Sequence, residues 1–359
     1  MRPSGGYDWI TLFGRTICLV SFLLVCLSCA GRGISIRPHP GVEALTLPEL
    51  ATSDIIQVQY LGTGGYLIQR GRHGLLTAPL YSNPGVWRVG LGNISPDTAL
   101  INRVHPRIPG VKIAAVLVGH AHYDHLLDVP YIAAHYTREA IIYGSMSVSR
   151  LVIAADPSLK SKVRVLEAEL ARNRQPGDWI YVADSTIRFM AVESDHGPHF
   201  LGIHMMKGEV PPGLKQIPKS AWYWREGRTF AYLIDLLGVD GSIDFRIHYQ
   251  DATSHYPLGA PPRFASQDTH RLDLAIICVD TWDQVPDYPE ALFRNHRPRH
   301  VIFGHWENFF RSPLKSPWTR FSSLRLRQFI PSVVDALPAD SKWVIPEPGA
   351  VYLFRPVQP

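Results

Sequence analysis

The run Val116-Leu117-Val118-Gly119-His120-Ala121-His122-Tyr123-Asp124-His125 constrains this chain more than any other stretch. An apolar segment ends in glycine, and four side chains able to bind metal follow within the six positions 120–125. Strand residues two apart point to the same side, so His120 and His122 leave the strand end together. Asp124 and His125 then come from the turn that follows and face the same space from another direction. Imidazole and carboxylate donors at this spacing suit zinc, and manganese or iron accept the same mixture.

His-x-His-x-Asp-His after an apolar strand resembles the signature of the metallo-β-lactamase fold superfamily, and the resemblance runs over residues 54–356. The opening Tyr60-Leu61-Gly62-Thr63-Gly64-Gly65 is similar to the start of that domain. A strand leads into Glu193-Ser194-Asp195-His196-Gly197-Pro198-His199, where the superfamily places its next ligand. His196 is the preferred candidate and His199 the competitor. Asp251 ends another apolar strand and resembles the bridging carboxylate; standing alone it would read as a turn or cap aspartate. Val301-Ile302-Phe303-Gly304-His305-Trp306 resembles the segment carrying the last histidine.

The resemblance implies an α/β fold, an αββα four-layer sandwich with two sheets inside and helices outside. It also implies two divalent ions: His120, His122 and His196 on one, Asp124, His125 and His305 on the other, Asp251 between. Such a site is expected to be a metal-dependent hydrolase using a metal-bridging hydroxide, with Asp124 both ligating and handling a proton. His255 reads either as a substrate contact or as an unrelated loop histidine. One departure stands out. Many relatives carry Thr-Asp-Pro after the third strand, and this chain has Thr77-Ala78-Pro79, so a carboxylate that could orient a ligand is missing or comes from elsewhere.

Motif order, the single late aspartate and the His305-Trp306 pair look most similar to one branch. It holds N-acyl phosphatidylethanolamine phospholipase D and the ascorbate-6-phosphate lactonase-like proteins. That resemblance implies a phosphodiester, of a phospholipid-like kind, as substrate. Trp306, Phe309, Phe310 and Trp318 read either as its apolar contacts or as core. A lactonase or other carboxylic ester or amide hydrolase is the alternative, and a non-catalytic envelope scaffold or metal sensor a second one.

The chain has 359 residues, 46% hydrophobic and 19% charged, enough for a substantial core. Its net charge of +5 is scattered and no nucleic-acid motif appears, so nucleic acid is not an expected partner. Residues 17–27 form an apolar run too short to span a bilayer comfortably. With Arg2 and Arg15 before it and Ser28-Cys29-Ala30-Gly31 after it, residues 1–28 read as a signal peptide of lipoprotein type. Cys29 would be lipidated, residues 29–53 would be a tether, and 54–359 the hydrolase domain. The expected location is the cell envelope, exported and membrane-anchored. Cys18 and Cys26 lie in this leader and Cys29 would be lipidated, which leaves Cys278 alone, so no disulfide framework is available to the mature chain.

Apolar patterning and turn residues predict strands over 55–60, 65–69, 74–77, 113–118, 140–143, 179–182, 187–192, 222–224, 229–236, 245–250, 272–280 and 301–304. Helices are expected over 96–105, 126–135, 147–155, 288–295 and 321–337, the last with Phe321, Leu324, Phe329, Ile330, Val333, Val334 and Leu337 on one face. Residues 200–221 have little period and read either as a substrate loop or lid or as a surface insertion without contact to substrate.

Overall fold

A computed structural model describes residues 54–107, 110–264 and 268–356. The leader and tether expected over 1–53 lie outside the described residues. Two seven-stranded sheets form the centre. The first contains β1 (Ile56–Gly62), β2 (Gly65–Arg70), β3 (His73–Thr77), β4 (Lys112–Leu117), β5 (Ile141–Gly144), β6 (Val163–Val165) and the closing strand β14 (Val351–Phe354), in the order β14-β1-β2-β3-β4-β5-β6. The second contains β7 (Ile180–Val182), β8 (Ile187–Ser194), β9 (Thr229–Leu237), β10 (Ile243–Gln250), β11 (Leu274–Cys278), β12 (His300–Gly304) and β13 (Lys342–Val344), in the order β13-β12-β11-β10-β9-β8-β7.

Each sheet is antiparallel at one side and parallel at the other. Short turns join the antiparallel pairs β1–β2, β2–β3, β7–β8 and β9–β10, and Tyr60 lies opposite Tyr66 across the β1–β2 turn. The parallel pairs β3–β4, β4–β5 and β5–β6 need crossovers, which helices supply. These are α1 (Val86–Leu91), α2 (Thr98–Val104), α3 (Tyr123–Leu126), α4 (Val129–His135) and α5 (Met146–Ala155). In the second half α6 (Glu290–His296) precedes β12, and α7 (Arg320–Val334) precedes β13. Local chemistry sets the helix starts. Asp97 accepts from Leu100 N, Ser145 from Val148 N, and Thr319 with Ser322 forms a capping box.

Three apolar layers hold the sandwich together. Between the sheets lie Val58, Tyr60, Ile68, Leu117, Phe189, Tyr232, Ile247 and Ile276. Leu76, Val116, Ile132 and Leu151 sit under the helices of the first sheet. Ile277, Phe293, Phe303, Leu326 and Phe329 sit under those of the second. Both faces of the central strands are therefore buried, which explains why they read as near-continuous apolar runs. Helix, sheet, sheet, helix is the four-layer α/β sandwich the sequence implied.

Several local expectations are corrected. Helix begins at Tyr123 rather than 126 and breaks before Val129, so Asp124 and His125 ride on the first turn of α3 instead of a loop. Residues 221–223 form a single 3-10 turn, not a strand, because Trp222 and Trp224 anchor their indole N–H groups to Gly90 O and Pro218 O instead of joining a ladder. On α7 the buried apolar residues are Leu326, Phe329 and Val333, whereas Phe321 and Leu324 are exposed. Pro331 lies inside that helix. Strands β6 and β13, three residues each, were too short to show as patterns.

Candidate metal centre

All the candidate ligands sit where strands end. His120 and His122 follow β4, His196 follows β8, Asp251 follows β10 and His305 follows β12, while α3 brings Asp124 and His125. Glycine is required where two such ends meet. A Cβ on Gly119 would lie 2.1 Å from Asp251 Oδ1. One on Gly304 would lie 2.0 Å from the Tyr66 hydroxyl.

The seven side chains converge as three interlocking groups: His120, His122 and His196; His120, His125 and Asp251; Asp124, His125 and His305. Within each group the donor atoms lie within 4.8 Å of one another. All seven residues are buried. The rings of His120, His122 and His196 form a triangle with centroids 4.8 Å apart on every side. Asp251 joins two groups, with Oδ1 3.3 Å from His120 Nδ1 and Oδ2 3.2 Å from His125 Nδ1. Asp124 Oδ2 lies 3.3 Å from His125 Nε2 and 3.4 Å from His305 Nε2.

Hydrogen bonds separate His196 from His199. The Nδ1–H of His196 donates to Gly197 O at 2.7 Å, which leaves the Nε2 lone pair free for a cation. His199 stacks on His196 with centroids 4.7 Å apart, but its Nδ1 accepts from Met205 N at 3.2 Å. Its proton therefore sits on Nε2, and His199 presents a donor, not a lone pair. It belongs to none of the three groups. His255 is exposed and also stands outside them.

The electrostatics ask for positive charge. Burial, then the neighbouring imidazoles His120 and His196, push His122 well below the ordinary histidine range. His196 is pushed down in the same way by burial and by His120 and His199. Burial, then His125, also lowers His120. These rings are neutral, and the Nε2 atoms of His120 and His122 have no hydrogen-bond partner. Burial alone would raise the Asp251 and Asp124 carboxyls, yet adjacent imidazoles hold both well below the usual carboxylate range. Burial would lower His125, but Asp124 and Asp251 raise it to about 10, so in the bare chain a proton does the work of a cation. Buried lone pairs without partners, facing one another beside two ionised carboxylates, are costly as they stand. The nitrogen and oxygen donor set fits two divalent ions.

Sequence reasoning missed the side chains that hold this cluster in place. Glu307, buried, accepts from the Tyr60 hydroxyl and from Thr63 N, both at 2.5 Å. Tyr60 in turn accepts from His305 N at 3.0 Å. His305 has φ +54°, a left-handed backbone uncommon for a non-glycine residue, and this relay fixes it. The Tyr249 hydroxyl lies 3.1 Å from Asp251 Oδ2 and 2.6 Å from Gly64 O. Where relatives carry Thr-Asp-Pro, the loop after β3 is tied instead by Asp128, which accepts from Tyr81 N, Ser82 N and the Ser82 hydroxyl. Glu226, raised to about 7 chiefly by burial, accepts Ala121 N on its backbone carbonyl behind His120 and His122. The sequence held one signal: Glu307 is a carboxylate in the aromatic run Trp306-Glu307-Asn308-Phe309-Phe310.

The architecture is an αββα sandwich with a histidine–aspartate cluster at its strand ends. Residues 91–253 match the family described as the beta-lactamase superfamily domain. The match spans every candidate ligand except His305. No curated protein matches the chain. Among solved structures it is similar to Igni18, a metallo hydrolase from Ignicoccus hospitalis KIN4/I, with 14% identity, TM-score 0.47, and coverage of 84% of this chain and 99% of that one. It is also similar to the metallo-beta-lactamase fold protein YhfI from Bacillus subtilis, with 13% identity, TM-score 0.45, and coverage of 84% and 100%. A third is an isothiocyanate hydrolase from Delia radicum gut bacteria, with 13% identity, TM-score 0.44, and coverage of 83% and 99%.

Proposed function

We propose that the chain binds two divalent ions, zinc first among the candidates, and hydrolyses a phosphodiester of a phospholipid-like kind. One observation carries the metal reading: seven buried imidazoles and carboxylates meet, with unpartnered ring nitrogens facing inward. His120, His122 and His196 would hold one ion, Asp124, His125 and His305 the other, and Asp251 would lie between. When bound, the ions supply charge that acidifies water toward neutrality and offsets charge building on substrate oxygens. Asp124 is ionised and accepts a proton at Oδ2. His199 offers its Nε2–H to a substrate oxygen and so orients it. Phe309 lies with its ring 5.1 Å from that of His305 and gives the substrate an apolar neighbour.

The phosphodiester class rests on the resemblance of motif order to the phospholipase D and lactonase-like branch. Trp306 does not add to it. This indole is buried, donates to Pro346 O and packs on the half-buried Trp318 at 4.3 Å, so Trp306 is core and Trp318 covers it. Elemental analysis of the purified protein, joined to assays on a phosphodiester, a lactone and a β-lactam, tests the reading. Two ions per chain with turnover of the phosphodiester are expected. Turnover of the lactone or β-lactam alone would replace the substrate class, and bound metal with no turnover would favour a scaffold or sensor. The envelope location and the lipidated Cys29 belong to the same reading; mass analysis of the mature N-terminus tests them.

A further inference from the structure

We infer that the rim beside the metal centre, built from residues 83–94, 219–225 and 309–315, docks on an anionic lipid bilayer. The first observation is apolar surface left open. Helix α1 buries none of its residues. Trp87 and Leu91, one turn apart on its outer side, are 58% and 73% exposed. Tyr223 is 60% and Leu314 51% exposed.

Hydrogen bonds join these segments into one surface. Asn83 Nδ2 donates to Arg311 O at 2.7 Å, Trp222 Nε1 to Gly90 O at 2.9 Å, and Ile94 N to Lys219 O at 2.7 Å. The same segments reach the centre from two sides. Phe309 touches the His305 ring, and Glu226, the residue after Arg225, receives Ala121 N between His120 and His122.

The second observation is charge. Stretches 79–96, 210–225 and 308–319 carry Arg88, Lys215, Lys219, Arg225, Arg311 and Lys315. All six are exposed, and none forms an ion pair among the described residues. The chain has 31 carboxylates and not one falls in these stretches. A protein partner would favour a rim depleted in lysine. Aromatic and leucine side chains set among unpaired lysine and arginine suit the headgroup region of an anionic membrane instead. The apolar run at 17–27 is a separate membrane-directed feature elsewhere in the sequence. Docking here would bring the metal centre to the lipid surface, which is how it serves the proposed phospholipid-like substrate.

Because that N-terminal run can itself hold the full chain on vesicles, the test reads the rim locally. Hydrogen exchange is followed in the metal-loaded full-length protein alone, with phosphatidylcholine vesicles, and with vesicles containing phosphatidylglycerol. The turn at 238–242, at the opposite end of β10 from Asp251, is the internal control. Amides of 86–91 and 219–225 should exchange at least severalfold more slowly on the anionic vesicles only, with 238–242 unchanged. Raising salt should remove the effect, as should W87S/L91S/Y223S; R88E/K219E/R225E should weaken it roughly fivefold per cation lost. Circular dichroism verifies that both variants fold. Equal protection of 238–242, equal protection on neutral vesicles, or protection that grows with protein concentration without lipid would each overturn the inference, the last by making a second copy the occupant. No turnover is measured, so vesicle docking by a protein that hydrolyses nothing would sink the functional reading and leave this one standing.

Discussion

Replacing Glu307 by alanine tests how the last ligand is held. Its carboxylate takes two hydrogen bonds of 2.5 Å, from Tyr60 and Thr63 N, in a buried site. A hydrogen bond to a charged group contributes about 1.5–3 kcal/mol, so two give about 3–6 kcal/mol. Tyr60 also braces His305 N, and His305 keeps a left-handed backbone of φ +54° that costs about 1–3 kcal/mol. Without Glu307 that backbone can relax, and His305 moves away from Asp124. For a domain of roughly 300 residues, with about 2.1 cal/mol/K of unfolding entropy per residue, the stability loss corresponds to a fall in Tm of roughly 5–9 °C. The measurement is thermal unfolding of chelator-treated protein, paired with metal content after reloading. Glu307→Gln keeps one acceptor and should lose about half as much. The expected pattern is a lower Tm in the metal-free state and loss of the ion assigned to Asp124, His125 and His305. If Tm and metal content both stay at the wild-type values, the brace from Glu307 through Tyr60 to His305 does not exist.

His122→Ala should lose metal and abolish hydrolysis while circular dichroism reports an intact fold; unchanged turnover would refute the assigned centre. His199→Leu should keep full metal content, since its Nδ1 is engaged by Met205 N, and lose roughly tenfold to a hundredfold in turnover with one donor gone. Loss of metal in that variant would make His199 a ligand. Gly119→Ala puts a Cβ 2.1 Å from Asp251 Oδ1; displacing the carboxylate by about 1 Å should cost about a hundredfold in rate, with metal content read alongside. Acid should destabilise the metal-free protein below pH 6.5. Burial lowers His105 to about 4 and His248 to about 3, so each contributes stability above 6.5 that is lost as pH falls, at up to about 1.4 kcal/mol per unit. Asp128, raised by burial to about 6, opposes this between pH 6 and 3.8, because there the folded state favours its protonated form. His248→Gln should flatten the slope of Tm against pH between 6.5 and 4.5; an identical slope would assign the acid sensitivity elsewhere.

The sandwich was legible because its strands are buried on both faces and bounded by glycine turns, which leaves apolar runs such as 113–118 and 229–236 with no other reading. The candidate donors were legible for a related reason. A polar side chain after such a run has left the core at the strand end, and four runs end that way. What the sequence did not show depends on contacts between distant segments. Glu307 and Tyr60 are 247 positions apart and meet only because β1 and β12 belong to different sheets packed face to face. The choice between His196 and His199 turned on which ring nitrogen a backbone group engages, and no residue pattern encodes that. Trp222 and Trp224 misled for a physical reason as well: alternation across Trp-Tyr-Trp imitates a strand, but both indoles are held by carbonyls and the chain turns. The same segment carries the exposed Tyr223 and is bonded to α1 through Trp222, so the surface read as lipid-facing arises where local alternation and tertiary anchoring disagree. Single exposed aromatics are ordinary, but Tyr223, Trp87 and Leu91 stand on bonded segments with six cations that form no ion pair among the described residues, which gives the rim a chemistry the fold does not require.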